Sequence, residues 1–205
     1  MAIFSLNHRP ISKQKNPGLA SSHVRYISRG SASPVVLSAR MPTDPQEARR
    51  WLKDQEQKDR KNARVADRIM IALPVELSPN QRADLVQKYC ETITKGEAAW
   101  YLAIHQEGKD SNNPHAHILI RDRSAINGRR IAKLSEKGST TLLRELWTET
   151  ANKALQDAGH NTTIDHRSLE AQGIDRQPTK HKGPKIPWAR KIAYTSKIES
   201  QNVRF

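Results

Sequence analysis

One stretch leaves the chain little conformational choice: Asn112-Asn113-Pro114-His115-Ala116-His117-Ile118-Leu119-Ile120. Its apolar second half reads as a strand. There the i, i+2 spacing sets both imidazoles on one face and turns Ala116, Ile118 and Ile120 to the other. Pro114 suits a strand's first position, where no ladder donor is needed. Upstream, Trp100-Tyr101-Leu102-Ala103-Ile104-His105 reads as a second strand. The connection from Gln106 to Pro114 is rich in Gly, Asp, Ser and Asn, as a turn should be. Paired as a hairpin, the two strands place His105 nearly opposite His115, with His117 one pleat further along. Three imidazoles then converge on one point.

Three neutral imidazoles leave a divalent cation its full charge and open coordination positions. Such a cation polarises a phosphodiester oxygen and stabilises charge developing on it. The plainer alternative is a set of surface or hydrogen-bonded histidines. A lone His-x-His would favour that alternative, but a third histidine at the facing strand end tips the reading to metal.

Charge says what such a centre acts on. The chain has 205 residues, with 35 Lys and Arg against 21 Asp and Glu, a formal charge of +14. A polyanion partner is expected, nucleic acid first and an anionic membrane surface as the competitor. No apolar run has the length of a membrane span, so no membrane insertion is expected. The single cysteine, Cys90, excludes an intramolecular disulfide framework and a multi-cysteine zinc site.

Around the hairpin, strand and helix signals alternate. Ala2 to Leu6 reads as a strand and polar Asn7 to Gly18 as a loop. Ser21 to Arg29 reads as a short helix with a serine cap, ended by Gly30. Val24 and Ile27 form its apolar stripe, and Tyr26 falls about 200° from Val24, on the side of Ser22 and His23. Pro34 to Ala39 is a further strand. Asp44-Pro45-Gln46-Glu47 starts a helix running to about Asn62. Arg68 to Leu73 is a buried strand. Ser78-Pro79-Asn80-Gln81 opens a helix reaching about Thr94. Arg121 to Gly138 is basic and turn-rich, and an amphipathic helix spans about Thr140 to Ala158. The end, Pro178 to Phe205, holds seven Lys or Arg and one acid, Glu199, with Trp188, Tyr194 and Phe205 interleaved. This organisation predicts an α+β fold, an antiparallel sheet with helices packed on it.

His115-Ala116-His117 matches the His-hydrophobic-His signature of the HUH endonucleases. More closely, Leu102 to His105 followed by Asn113 to His117 resembles the MobA/MobL relaxases of mobilisable plasmids. Tyr26-Ile27 with Arg29-Gly30, Ala72 to Leu77, Ile164 to Ile174, and then Pro178, His181 and Gly183 extend the likeness from near Ala20 to about Gly183. The resemblance implies a palm-like antiparallel sheet and a metal-assisted, site- and strand-specific nick at a plasmid transfer origin. A tyrosine serves as nucleophile, because a phosphotyrosyl ester keeps the bond energy that hydrolysis would discard. A phenol is mostly protonated at neutral pH, with a reference pKa of about 10, and a nearby dication favours the phenolate. Tyr26 is the expected nucleophile, linked to a 5′-phosphate and leaving a free 3′-hydroxyl. His105, His115 and His117 are the expected ligands of Mg²⁺ or Mn²⁺.

Glu76 has two readings that stand side by side: a fourth ligand or proton acceptor, or a first-turn acid complementing the next helix's dipole. Arg25, Arg29, Arg167, Lys180, His181 and Lys182 are expected on DNA, in single-stranded and hairpin form. Residues 1–183 would be the relaxase domain and 184–205 a basic arm, with further domains to follow. The family also implies accessory mobilisation proteins, a type IV secretion coupling protein, and a bacterial cytoplasmic location with passage to the recipient alongside the DNA. Three alternatives remain open at this point. A rolling-circle replication initiator would use Tyr194; a three-histidine hydrolase would use water; a basic DNA-binding module would have no catalysis.

Overall fold

The computed structural model describes residues 3–30, 35–106 and 112–175. The elements are β1 (Leu6–Ser12), α1 (Leu19–Ile27), β2 (Val35–Ala39), α2 (Pro45–Lys58), β3 (Arg64–Ala72), α3 (Pro79–Thr94), β4 (Ala98–His105), β5 (His115–Ser124) and α4 (Ser139–Asp157). The five strands form one sheet in the order β1-β3-β5-β4-β2, every pair antiparallel. This is the expected α+β layer architecture.

The histidine hairpin sits in the sheet's interior. His105 pairs with His115 and Ala103 with His117, the expected register. Alternation along β4 and β5 gives the sheet two apolar faces. On one, Tyr101, Ala103 and Leu119 pack with Ala20, Val24 and Ile27 of α1 and Ala48 and Leu52 of α2. On the other, Trp100, Leu102, Ile104, Ile118 and Ile120 pack against α3 and α4. Burying both faces explains why β4 reads as continuous apolar sequence.

The helix starts at Asp44 and Ser78 are as expected. Asp44 accepts the Gln46 and Glu47 N–H groups, and Ser78 and Gln81 form a reciprocal capping box. Four expectations need correction. The strand expected over Ala2 to Leu6 lies instead at Leu6–Ser12, as β1, largely within the stretch read as a loop, Asn7 to Gly18. Its anchors, Leu6 and Ile11, are buried on opposite faces, so no two-residue rhythm betrays the strand; the ladder to β3 holds it. Helix α1 starts at Leu19 rather than at a serine cap. Gly18 is its N-cap at φ 72°, and the Gly18 N–H donates to Glu56 Oε1 at 2.9 Å, a partner 38 residues away.

The other two corrections share a cause. Helix α2 stops at Lys58, short of Asn62, and β5 continues past Ile120 through four polar residues. Asp59 leaves the helix in extended conformation and takes Arg121 in a two-pronged pair, Nη1 to Oδ2 at 2.8 Å and Nη2 to Oδ1 at 2.9 Å. Asp122 accepts the N–H groups of Ile131, Ala132 and Leu134. A charge buried with its partner extends the strand, and a polar sequence hides that. Asp59→Ala leaves the buried Arg121 guanidinium without a counter-charge, with the Val65 carbonyl still accepting from it, so chemical denaturation should show a loss of about 3–5 kcal/mol. A loss below about 1 kcal/mol would mean that Arg121 finds water or another acceptor.

A second unit begins at Arg167. Its described part is a turn in which Ser168 Oγ accepts the Ala171 N–H and Gln172 Nε2 donates to the Arg167 carbonyl. No helix among the described residues is long and apolar enough to cross a membrane. The expected strand residues Ala2 and Pro34, the basic stretch from Pro178, and the 183/184 boundary lie outside the described residues.

Candidate active site

The register of β4 on β5 brings the three imidazoles together. Ring centroids stand 5.1 Å apart for His105 and His115, 5.0 Å for His105 and His117, and 5.1 Å for His115 and His117. One nitrogen from each lies within 4.8 Å of the others, and this is the metal-ligand grouping found among the described residues.

The donor chemistry fits a divalent cation. His105 Nε2–H donates to the Ile27 carbonyl at 2.8 Å, which puts that ring's lone pair on Nδ1. His115 Nδ1–H donates to the Asn113 carbonyl at 2.9 Å, which puts its lone pair on Nε2. Backbone carbonyls set ring orientation and tautomer in just this way around bound metals. Burial, with the neighbouring His115, His105 and His23 and the Arg29 charge, lowers the His117 pKa to about 3, so its ring is neutral at physiological pH.

The same hydrogen bond ties α1, the helix that carries Tyr26, to the histidines. The Ile27 carbonyl belongs to the last turn of α1, where intrahelical partners run out. His105 supplies a donor there, and Ser28 Oγ meets the Tyr101 hydroxyl at 2.8 Å. Tyr101 and His105 are i, i+4 on β4, so one strand face grips the end of α1 twice. Tyr26 therefore has a fixed place. Its ring lies 6.2 Å from His117 and 6.3 Å from His23, and it is 54% exposed. Arg29 covers it with Cζ 4.4 Å from the ring centroid and donates to the Tyr26 carbonyl at 2.8 Å. The other described tyrosines, Tyr89 and Tyr101, are fully buried with their hydroxyls engaged by Leu143 and Ser28.

Arg25 lies in the last turn of the same helix, exposed. Glu76 is not in the histidine grouping. It occupies the turn between β3 and α3, where Arg82 donates to the Pro74 and Val75 carbonyls and its charge acts on Glu76. Arg167 belongs to the second unit. Lys180, His181, Lys182 and Tyr194 lie outside the described residues.

Sequence reasoning placed Tyr26 on the side of His23 but gave His23 no part. The His23 ring is 6.0 Å from His117, and burial together with the Arg68 charge lowers its pKa to about 4. The i, i+3 spacing of His23 and Tyr26 was the available signal. The roles of Ser28 and Tyr101 had none, since their meeting depends on sheet and helix packing.

His23 and His117 fold as neutral rings, while in the unfolded chain they titrate near 6.5. Below pH 6.5 the unfolded state therefore binds protons that the folded state refuses, and stability falls with pH from there toward 4. Denaturation in EDTA at pH 7, 6 and 5 should show this decline. The double substitution His23→Gln with His117→Gln should flatten it; an unchanged slope would remove both rings from the titration.

The chain's antiparallel sheet thus carries three clustered histidines on its central hairpin and an exposed tyrosine beside them. The MobA/MobL family model matches residues 22–140 and 124–191, and the chain belongs to the MobA/MobL family. Mobilization protein A of Escherichia coli is 37% identical over 150 residues, which span 62% of this chain and 21% of that protein. The chain thus spans only a fifth of that relative's length. A structure from work on vancomycin resistance transfer in Staphylococcus aureus superposes with TM-score 0.63 at 22% identity, covering 82% of this chain and 100% of the other. The MobM relaxase domain, bound to plasmid oriT DNA in a manganese-bound crystal structure, superposes with TM-score 0.54 at 13% identity, covering 94% and 99%. At these identities the two structures speak for the fold.

Proposed function

We propose that the chain is the catalytic domain of a plasmid mobilisation relaxase, nicking one strand of transfer-origin DNA by tyrosine transesterification. The observation that carries this reading is the exposed Tyr26 ring set 6.2 Å from His117 of the clustered histidines. The Tyr26 oxygen attacks the scissile phosphorus as the bond from phosphorus to the 3′ oxygen breaks. The phenol loses its proton to solvent, to which the ring is open, and the departing 3′ oxygen takes one up. The 5′-phosphate stays on Tyr26, and attack by the 3′-hydroxyl reverses the step.

His105, His115 and His117 would hold Mg²⁺ or Mn²⁺, a Lewis acid that neutralises charge developing on the phosphate oxygens. Arg29, clamped over the Tyr26 ring, and Arg25, beside it on α1, would meet flanking phosphates. Arg167, Lys180, His181 and Lys182 extend that role along single-stranded or hairpin DNA. Glu76 is assigned a supporting part, through its turn and Arg82. Residues 1–183 would act as the relaxase domain and 184–205 as a basic arm. Accessory mobilisation proteins and a secretion coupling protein are the partners this reading implies, in a bacterial cytoplasm.

The test is incubation with a supercoiled plasmid library carrying mobilisation regions, in Mn²⁺ or in EDTA. Sequencing of protein-linked ends should find a discrete 5′ end in Mn²⁺ and an extendable 3′-hydroxyl opposite. Nicks that are random, unlinked to protein or undiminished in EDTA would reject the proposal.

A further inference from the structure

The edge of the sheet beside Tyr26 carries a charge pattern that folding does not require. β1 and β3 place Arg9 directly opposite Arg68. Opposed like charges on adjacent strands destabilise a sheet. The other arginines on the strands each have a carboxylate partner, Arg64 in Asp67 and both Arg121 and Arg123 in Asp59, as does Arg40 just past β2 in Glu91. Neither Arg9 nor Arg68 has a carboxylate partner among the described residues.

Both arginines face the active site. They line one cleft of about 600 Å³ with Asn7, Met70, Tyr26 and His117. Met70 pairs with His117 across the β3–β5 ladder and is 41% exposed, an apolar floor open to solvent. Arg68 lies one strand over and two residues back from His117, a displacement of roughly 8 Å from strand spacing and rise. An arginine side chain spans the rest of the gap to a neighbouring nucleotide. The cleft thus offers an apolar floor next to the reacting phosphate and, just beyond it, two cations awaiting an anion.

We propose that Arg9 and Arg68 form a phosphate subsite for single-stranded DNA, one or two nucleotides from the phosphate that Tyr26 attacks. This rests on the relaxase reading and extends it to residues that no motif singles out. A simpler role for the pair is guarding an exposed sheet edge against another strand, as edge charges do. The two roles differ in what salt does to DNA binding.

The experiment measures binding of fluorescein-labelled dT12 to the full chain from 50 to 200 mM NaCl. Three proteins are compared: wild type, Arg9→Gln with Arg68→Gln, and a control of equal charge, Lys88→Gln with Arg144→Gln. The control residues are exposed on α3 and α4, which cover the opposite face. Each single-strand phosphate contact adds about 0.7 to the slope of log K against log salt, so removing the pair should lower it by roughly 1.4. Affinity at 50 mM should fall roughly ten- to a hundredfold. Thermal unfolding of the arginine variant should occur at or above the wild-type midpoint, because a repulsion is removed. A slope equal to that of the control, or failure of the wild-type chain to bind dT12 at 50 mM, would overturn the subsite. Covalent adduct formation is scored separately on the wild-type chain. Its absence beside an intact slope difference would count against the relaxase reading and leave the subsite standing.

Discussion

Tyr26→Phe is expected to form no covalent DNA adduct and to nick at least about 10⁴-fold more slowly than wild type, while folding and binding DNA as wild type does. The magnitude follows from removing an attacking oxygen for which no neighbour among the described residues substitutes. Tyr89 and Tyr101 are fully buried and hydrogen-bonded, so neither can take over. Folding is spared because Tyr26 is 54% exposed, and such substitutions usually move stability by less than about 0.5 kcal/mol. The Arg29 guanidinium still has a ring to cover, so the local charge stays in place. With an oligonucleotide labelled downstream of the nick, the label should travel with wild-type protein on a denaturing gel and be absent from the variant lane. A persistent adduct in Tyr26→Phe that disappears in Tyr194→Phe would move the chemistry to the chain's end and favour the replication-initiator reading.

His117→Ala is expected to lose the cation and, with it, cleavage. The ring is nine-tenths buried and about equidistant from its two partners, so its removal leaves two imidazoles and an opening to water. Changing a residue that merely orients a ligand typically weakens metal binding 10- to 100-fold, and deleting a ligand should exceed about 100-fold. Calorimetric titration with Mn²⁺ at pH 7 measures this directly. The ring is held neutral in the wild type, so binding there should release few protons from His117. Equal Mn²⁺ affinity in the variant would take His117 out of the site. The His105→Ala variant should show a second defect. The Ile27 carbonyl loses its donor, so the end of α1 should loosen and Tyr26 with it.

The hairpin was legible because its information is local. Alternation, a turn-rich connection and a strand-opening proline fix which histidine faces which, and the register agrees at His105, His115 and His117. Helix starts at Asp44 and Ser78 were legible for the same reason, since cap and capped N–H groups lie within three residues. What the sequence concealed depends on partners far along the chain. Glu56 caps a helix 38 residues upstream, Asp59 draws Arg121 into a strand, and β1 exists because β3 is there to pair with it. Within the site, Tyr26 was legible from its helix face and the family likeness. His23, the grip of Tyr101 on Ser28 and the opposed Arg9 and Arg68 emerge only when α1 is laid across the sheet. Glu76 shows the converse: the family likeness of Ala72 to Leu77 drew attention to it, yet Arg82 holds its turn and it lies outside the histidine grouping.

The most direct measurement is to find the atom that carries the DNA. Wild-type chain is incubated with the supercoiled plasmid library in Mn²⁺, the linked DNA is trimmed with nuclease, and the protein is digested with trypsin. Cleavage after Arg25 and Arg29 isolates the peptide Tyr26-Ile27-Ser28-Arg29. The account predicts that mass spectrometry finds a nucleotide 5′-phosphate on Tyr26 in that peptide, and none when EDTA is present. A nucleotide on Tyr194, or discrete nicking with every tyrosine peptide unmodified, would contradict it.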